Sequence, residues 1–176
     1  MNNGKLLDAL EQLLGREQGV RPPGRLLRPI GGDGFKEIGK EFLKYFIRFG
    51  GLKPSQKVLD VGCGIGRTAL PLAKYLDQRG QYEGFDVVPI GIHWCQRRIG
   101  FRSPNFRFRL ADVFNTYYNP DGRRRASQYR FPYRDNAFDF VCLISVFTHM
   151  LPQDVENYVH ETARVLKKGQ RCFVTF

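Results

Sequence analysis

Three glycines at alternate positions, Gly62, Gly64 and Gly66, sit in the segment KVLDVGCGIGRTA of residues 57–69, which begins as a short apolar strand and runs into helix-prone sequence. Glycine there removes side chains where a strand turns sharply into a helix, so a ligand meets bare backbone and the first amides of that helix. Asp60, the last acidic residue of the strand, faces the same turn. Its carboxylate suits a cationic group, held directly or through a water, and would repel a pyrophosphate. The dinucleotide fingerprint also needs its third glycine three residues after its second, whereas Gly66 follows Gly64 by two and Arg67 takes the fingerprint position. The spacing disfavours NAD.

Other polar groups fall at the ends of further strands. Residues 82–87 (YEGFDV) read as a second strand ending on Asp86, at the distance beyond the glycines where α/β folds place an acid for ribose hydroxyls. A carboxylate accepts from both hydroxyls at once. A third strand, residues 105–110, leads into Asp112, Val113 and Phe114, a carboxylate suited to an adenine amino group beside an aromatic that covers a ring face. The run at 138–145 is apolar enough for a strand buried on both faces, with Ser145 and His149 just beyond its carboxyl end. Residues 152–166 carry apolar side chains at helical spacing, and LKKGQRCFVTF then predicts a helix stop and a fifth strand.

Together these residues resemble class I S-adenosylmethionine-dependent methyltransferases, in particular the bacterial small-domain group with VLDxGCGxG, an acid after strand two, LxxD after strand three, FPxxxxxFD before strand four and RVLKxGG before strand five. The matching residues here are 58–66, Asp86, 110–112, where Leu-Ala-Asp is one residue shorter than the pattern, 131–139 and 164–169, with Gln170 replacing the usual second glycine. The resemblance implies S-adenosyl-L-methionine as cofactor and a Rossmann-like doubly wound α/β sheet, five parallel strands in the order 3-2-1-4-5 with helices on both faces. It also implies that Cys63, Arg67, Val87 and Ser145 join the residues above in the cofactor pocket. Such enzymes normally add an antiparallel pair after strand five; here residues 171–176 fall inside the apolar run CFVTF, so the domain reads as truncated, with an edge open to self-association.

At 176 residues the chain suits a single core, divided into residues 1–34, an N-terminal helix and flexible arm, and residues 35–176, the cofactor-binding domain. A leading helix with Phe35, Ile38, Phe42, Phe46 and Phe49 on one face is expected to end at Gly50 and Gly51. No apolar stretch is long enough to span a membrane and no secretory pattern opens the chain, which reads as cytoplasmic. Cys63, Cys95, Cys142 and Cys172 lack metal-site spacing and are read as reduced core or turn thiols, with no metal expected.

Direct displacement at a sulfonium asks the protein mainly for alignment and exclusion of water. A hydroxyl acceptor would use a base, and His149 is the first choice by position, with His93 a poorer one. Phe147 is placed with His149 on the acceptor side. The net charge of +11 is uneven: ten arginines lie between Arg97 and Arg134 against Asp112 and Asp121. Arg107 and Arg109 alternate with apolar residues of strand three and read as guards of an edge. Arg123, Arg124 and Arg125 lie in a long link, residues 115–130, where they suit an anionic acceptor such as a glycan or lipid precursor, or single-stranded nucleic acid. A small-molecule methyltransferase therefore leads over a nucleic-acid methyltransferase, since SVFT stands where an NPPY-like tetrapeptide would, and over a cofactor-binding protein without turnover.

Overall fold

The computed structural model describes Pro22 and residues 34–176. The helix expected at residues 1–15 and most of the arm lie outside the described residues. Five strands form one sheet in the order β3-β2-β1-β4-β5: β1 (Lys57–Val61), β2 (Gln81–Asp86), β3 (Phe106–Leu110), β4 (Phe138–Ile144) and β5 (Leu166–Thr175), each parallel to its neighbours. The helices are α1 (Phe35–Arg48), α2 (Ala69–Tyr75), α3 (Pro89–Cys95) and α4 (Pro152–Val165).

Covering both faces of a parallel sheet requires its central strands to be apolar on both sides. In β1, Val58 packs with the α1, α2 and α3 side chains Phe46, Leu72 and Ile92, while Leu59 and Val61 pack with Phe131, Tyr158 and Val165 on the α4 side. β4 divides in the same way, Phe140 and Cys142 to the first core, Val141 and Leu143 to the second. These strands hold the sheet rigid, and their carboxyl ends all open on one rim.

α1 ends at Arg48, with Gly51 left-handed at φ 68° immediately before the buried Leu52. Phe46 is fully buried, but Phe49, expected on the same face, is 57% exposed. The helix has already stopped there, and the chain turns away before Phe49 reaches the sheet. α3 widens into a π-helical turn, Gln96–Gly100, tied to β3 by Gln96 Nε2 donating to the Phe108 carbonyl at 3.0 Å.

The expected stop falls at Val165, with Leu166 already extended as the cap, and the chain passes from there straight into β5 without an intervening turn. Phe138 pairs with Leu166 but Phe140 with Arg171, so β5 bulges, and Gly169 at φ 80° takes the left-handed residue the bulge needs. Arg107 and Arg109 on the edge strand have a further role beyond guarding it. They flank Glu83 of β2 at 3.9 and 3.4 Å, and compensate a carboxylate that is otherwise buried.

Candidate active site

The glycine turn is held from three sides. Gly62, Gly64 and Gly66 have φ of 74°, 53° and 78°, conformations that a side chain resists. Gly62 and Cys63 both donate to the Phe85 carbonyl, at 2.9 and 3.0 Å, which fixes the turn to the end of β2. A Cβ on Gly62 would stand 2.6 Å from Val146 Cγ2, and one on Gly39 of α1 2.4 Å from the Arg67 carbonyl oxygen. The leading helix thus packs directly on the turn. Gly66 differs from the other two: it does not line the cavity, and its bare α-carbon instead admits Ile99 of the π-turn, whose Cδ1 would lie 2.5 Å from a Cβ there.

Above the turn lies a cavity of about 240 Å3. Asp60, Gly62, Cys63, Gly64, Arg67, Asp86, Val87, Val113, Phe114, Ser145 and His149 line it, as the sequence places them. Asp60 is 1% exposed and accepts from the hydroxyls of Thr68 and Tyr82, the latter at 2.7 Å. Burial pushes its carboxyl up to about 6 from the ordinary 3.8; the Asp86 charge raises it further, and the bonds from Thr68 and Tyr82 pull it back. Asp86 accepts from the Gly64 amide at 2.7 Å and the Val88 amide at 2.9 Å, one on each oxygen. Burial raises its carboxyl too, against those amides. Each oxygen keeps a second lone pair for a ligand hydroxyl.

Ser145 is left-handed at φ 55°, a strained conformation outside glycine, and its amide donates to Thr175 Oγ1 at 3.0 Å. The backbone therefore leaves β4 abruptly, and His149 comes to the cavity at the end of a short 3-10 turn (Phe147–His149). Its ring meets that of Tyr118 edge to face, 5.3 Å between centroids.

Several expected residues are placed elsewhere. Asp112 is absent from the cavity wall and turns outward, where its carboxylate accepts from the Arg123 amide at 3.1 Å and faces the Arg123 guanidinium at 3.7 Å. Phe147 is 9% exposed and packs on Phe176, 5.8 Å between centroids, so it supports the turn from behind. Arg123, Arg124 and Arg125 are exposed and outside the cavity, as is His93 on α3.

Residues 115–130 nevertheless form one wall. Asn115 Oδ1 accepts from the amides of Tyr117 and Tyr118, each at 3.0 Å, and Asn119 Nδ2 donates to the Val113 carbonyl at 2.9 Å. Asn157 of α4 anchors the far end by donating to the carbonyls of Ala126 and Tyr129 at 2.8 and 3.0 Å. Asn115, Tyr118 and Ala126 face the cavity as a result. Met150, Asp154 and Tyr158 complete the wall and were missed in the sequence. The available signal was Asp154 four residues before Tyr158, one face of a helix, hidden because Tyr158 also fits the apolar stripe.

The cavity fits a sulfonium nucleoside. Asp60 with the bare glycine turn, Asp86, and the apolar pair Val113 and Phe114 offer partners for a cation, a ribose and a purine, respectively.

Residues 59–174 match the protein family described as methyltransferase domain. Among curated proteins, ajmaline N-methyltransferase of Rauvolfia serpentina is 30% identical over 124 residues, 69% of this chain and 36% of that protein. Cycloartenol-C-24-methyltransferase 1 of Oryza sativa subsp. japonica is 31% identical over 129 residues, 72% of this chain and 31% of that protein. The chain thus spans about a third of the length of these relatives. In fold it is similar to a SAM dependent methyltransferase from Aquifex aeolicus, with a TM-score of 0.52 at 22% identity, covering 83% of this chain and 63% of that one.

Proposed function

The chain belongs to the methyltransferase domain family, and from that premise we propose that it transfers a methyl group directly from S-adenosyl-L-methionine to a small-molecule acceptor, such as a glycan or lipid precursor, at the carboxyl end of β4. The observation that carries this reading is one continuous cavity joining the glycine turn, Asp60 and Asp86 to His149 and the 115–130 wall.

When bound, the cofactor supplies an activated methyl group, so the protein's task is alignment. Asp86 would hold the ribose hydroxyls, Asp60 and the turn the charged methionyl end, and Val113 and Phe114 the purine. The anchored loop excludes water from the opposite side. For transfer to oxygen, the sequence-based expectation, His149 would take the hydroxyl proton. The two relatives act, by their names, on a nitrogen and on a carbon, and the choice of accepting atom rests on His149 alone. Native mass spectrometry of the purified chain tests the cofactor: retained mass of S-adenosylmethionine or S-adenosylhomocysteine is expected, and retention of NAD would contradict the reading. Release of S-adenosylhomocysteine with acceptor present tests turnover against binding alone.

The nucleic-acid reading is favoured by one feature, the exposed Phe101 between the exposed Arg97 and Arg102, a stacking ring among cations. Length-dependent binding of single-stranded RNA would promote it. The outer edge of β5 is unpaired among the described residues, which supports self-association at residues 171–176, to be read by sedimentation. No described helix is long and apolar enough to cross a membrane; a cytoplasmic setting is proposed because the four cysteines are free thiols.

A further inference from the structure

The charge of the cavity is opposite to that of the chain. Against a net charge of +11, the cavity is lined by three carboxylates, Asp60, Asp86 and Asp154, and one guanidinium, Arg67. Asp60 and Asp86 belong to the cofactor end. Asp154 stands apart from them, in the first turn of α4, with Tyr158 one turn further along the same face.

Tyr158 is the informative member of this pair. It is 4% exposed and lines the cavity, its ring packed edge to face on Phe131 at 5.0 Å between centroids. Its hydroxyl makes no hydrogen bond to another described residue, and it is not sealed in as the unpartnered hydroxyls of Tyr133 and Thr162 are, so a molecule in the cavity can reach it. Burial first, then the charges of Tyr129, Asp86 and Asp154, raise its phenol above the ordinary value, so it remains a proton donor. Asp154 spends one oxygen, Oδ2, on the Leu151 amide at 3.3 Å, closing the helix start. Tyr118 and His149 line the same cavity, ring against ring.

A carboxylate oxygen without a partner, a buried phenol and aromatic faces form a setting for a positively charged nitrogen, by ion pairing and by attraction to the ring quadrupoles. We infer that Asp154 and Tyr158, with Tyr118, form the acceptor subsite of this cavity and select a small molecule bearing an amine or quaternary ammonium group. The inference rests on the methyltransferase reading and sharpens it: the arginines of residues 123–125, outside the cavity, do not choose the acceptor, and an anionic group would meet Asp154.

The test is a calorimetric titration of the purified chain saturated with S-adenosylhomocysteine, using benzyltrimethylammonium, benzyl alcohol and benzoate as probes. The ammonium probe is expected to bind about tenfold or more tighter than either comparator. Asp154→Asn keeps an oxygen for the Leu151 amide and removes the charge; it should weaken the ammonium probe about tenfold and leave S-adenosylhomocysteine affinity within twofold. Tyr158→Phe keeps the ring on Phe131 and should change the ammonium probe less than twofold. The same variant should weaken benzylamine, which is protonated at neutral pH and donates an N–H to the phenol oxygen, by about fivefold. Equal binding of the three probes, or tighter binding of benzoate, overturns the subsite. Failure of S-adenosylhomocysteine itself to bind would overturn the function on which the subsite depends, and is seen separately, before any probe is added.

Discussion

The two ends of the cavity are built on different principles. The cofactor end comes mainly from a stretch of about thirty residues, 60–88, completed by Val113 and Phe114, and in that stretch backbone does most of the work: left-handed glycines, amides that hold Asp86, and close approaches of Gly62 to Val146 and of Gly39 to the Arg67 carbonyl that leave no room for a Cβ. The acceptor end is collected from three distant places, the 115–130 loop, the exit of β4 and the first turns of α4, and there side chains make the surface. A backbone-built site tolerates little change of sequence, whereas a side-chain-built one is altered by single substitutions that leave the fold intact. The first end should therefore set whether the cavity works and the second what it works on.

Four substitutions probe this contrast. The largest effect is expected for Asp86→Ala, which removes the partner of two amides and the acid proposed for the ribose. Cofactor affinity should fall by about 2–4 kcal/mol, read by titration of S-adenosylhomocysteine, and unchanged affinity would remove Asp86 from the site.

Asp60→Asn should separate electrostatics from shape at the same end. Because the folded carboxyl titrates near 6 rather than 3.8, the group's stabilising contribution is full below the unfolded value and is lost as pH rises through the folded one. The stability of the native chain minus that of the Asn variant should fall by on the order of 2–3 kcal/mol across that window, measured by urea unfolding at successive pH values. Native cofactor affinity should move the other way and weaken as pH drops through about 6, when Asp60 takes up a proton. A flat difference curve would contradict a buried, strained carboxylate.

Gly62→Ala should cost about 1–2 kcal/mol of stability from its left-handed backbone alone, with displacement of Val146 in addition. Thermal unfolding reads this cost, and a variant as stable as the native chain would show that the turn is not fixed by its backbone. The smallest effect belongs to Asp112→Ala. Its partner Arg123 is exposed and the pair lies outside the cavity, so stability should change by less than about 1 kcal/mol and cofactor affinity by less than twofold. A large loss of affinity would return Asp112 to the purine.

The same contrast explains what the sequence made legible. Strand order, the glycine turn and the acids at the ends of β1 and β2 follow from local patterns, because a strand that must end in a bare turn has few residues to choose from. Asp112 misled because its position after β3 says where the backbone goes but not that the Arg123 amide, eleven residues on, would take the carboxylate. Phe147 misled for the converse reason: the abrupt exit at Ser145 turns it into the core and brings His149 to the cavity. Tyr158 was hidden by its own hydrophobicity, since a phenol on a helical stripe looks like core until the absence of a partner for its hydroxyl is seen in three dimensions. The LKKGQ bulge of β5 went unread because the glycine of a helix stop and the glycine of a bulge look alike in sequence.

The most direct test of the division between the two ends is a parallel calorimetric titration of S-adenosylhomocysteine into the native chain, Asp86→Ala and Asp154→Asn. One site per chain is expected in the native protein, binding weakened by the 2–4 kcal/mol given above in Asp86→Ala, and affinity within twofold of native in Asp154→Asn. Equal losses in both variants would contradict a cavity with separate cofactor and acceptor ends.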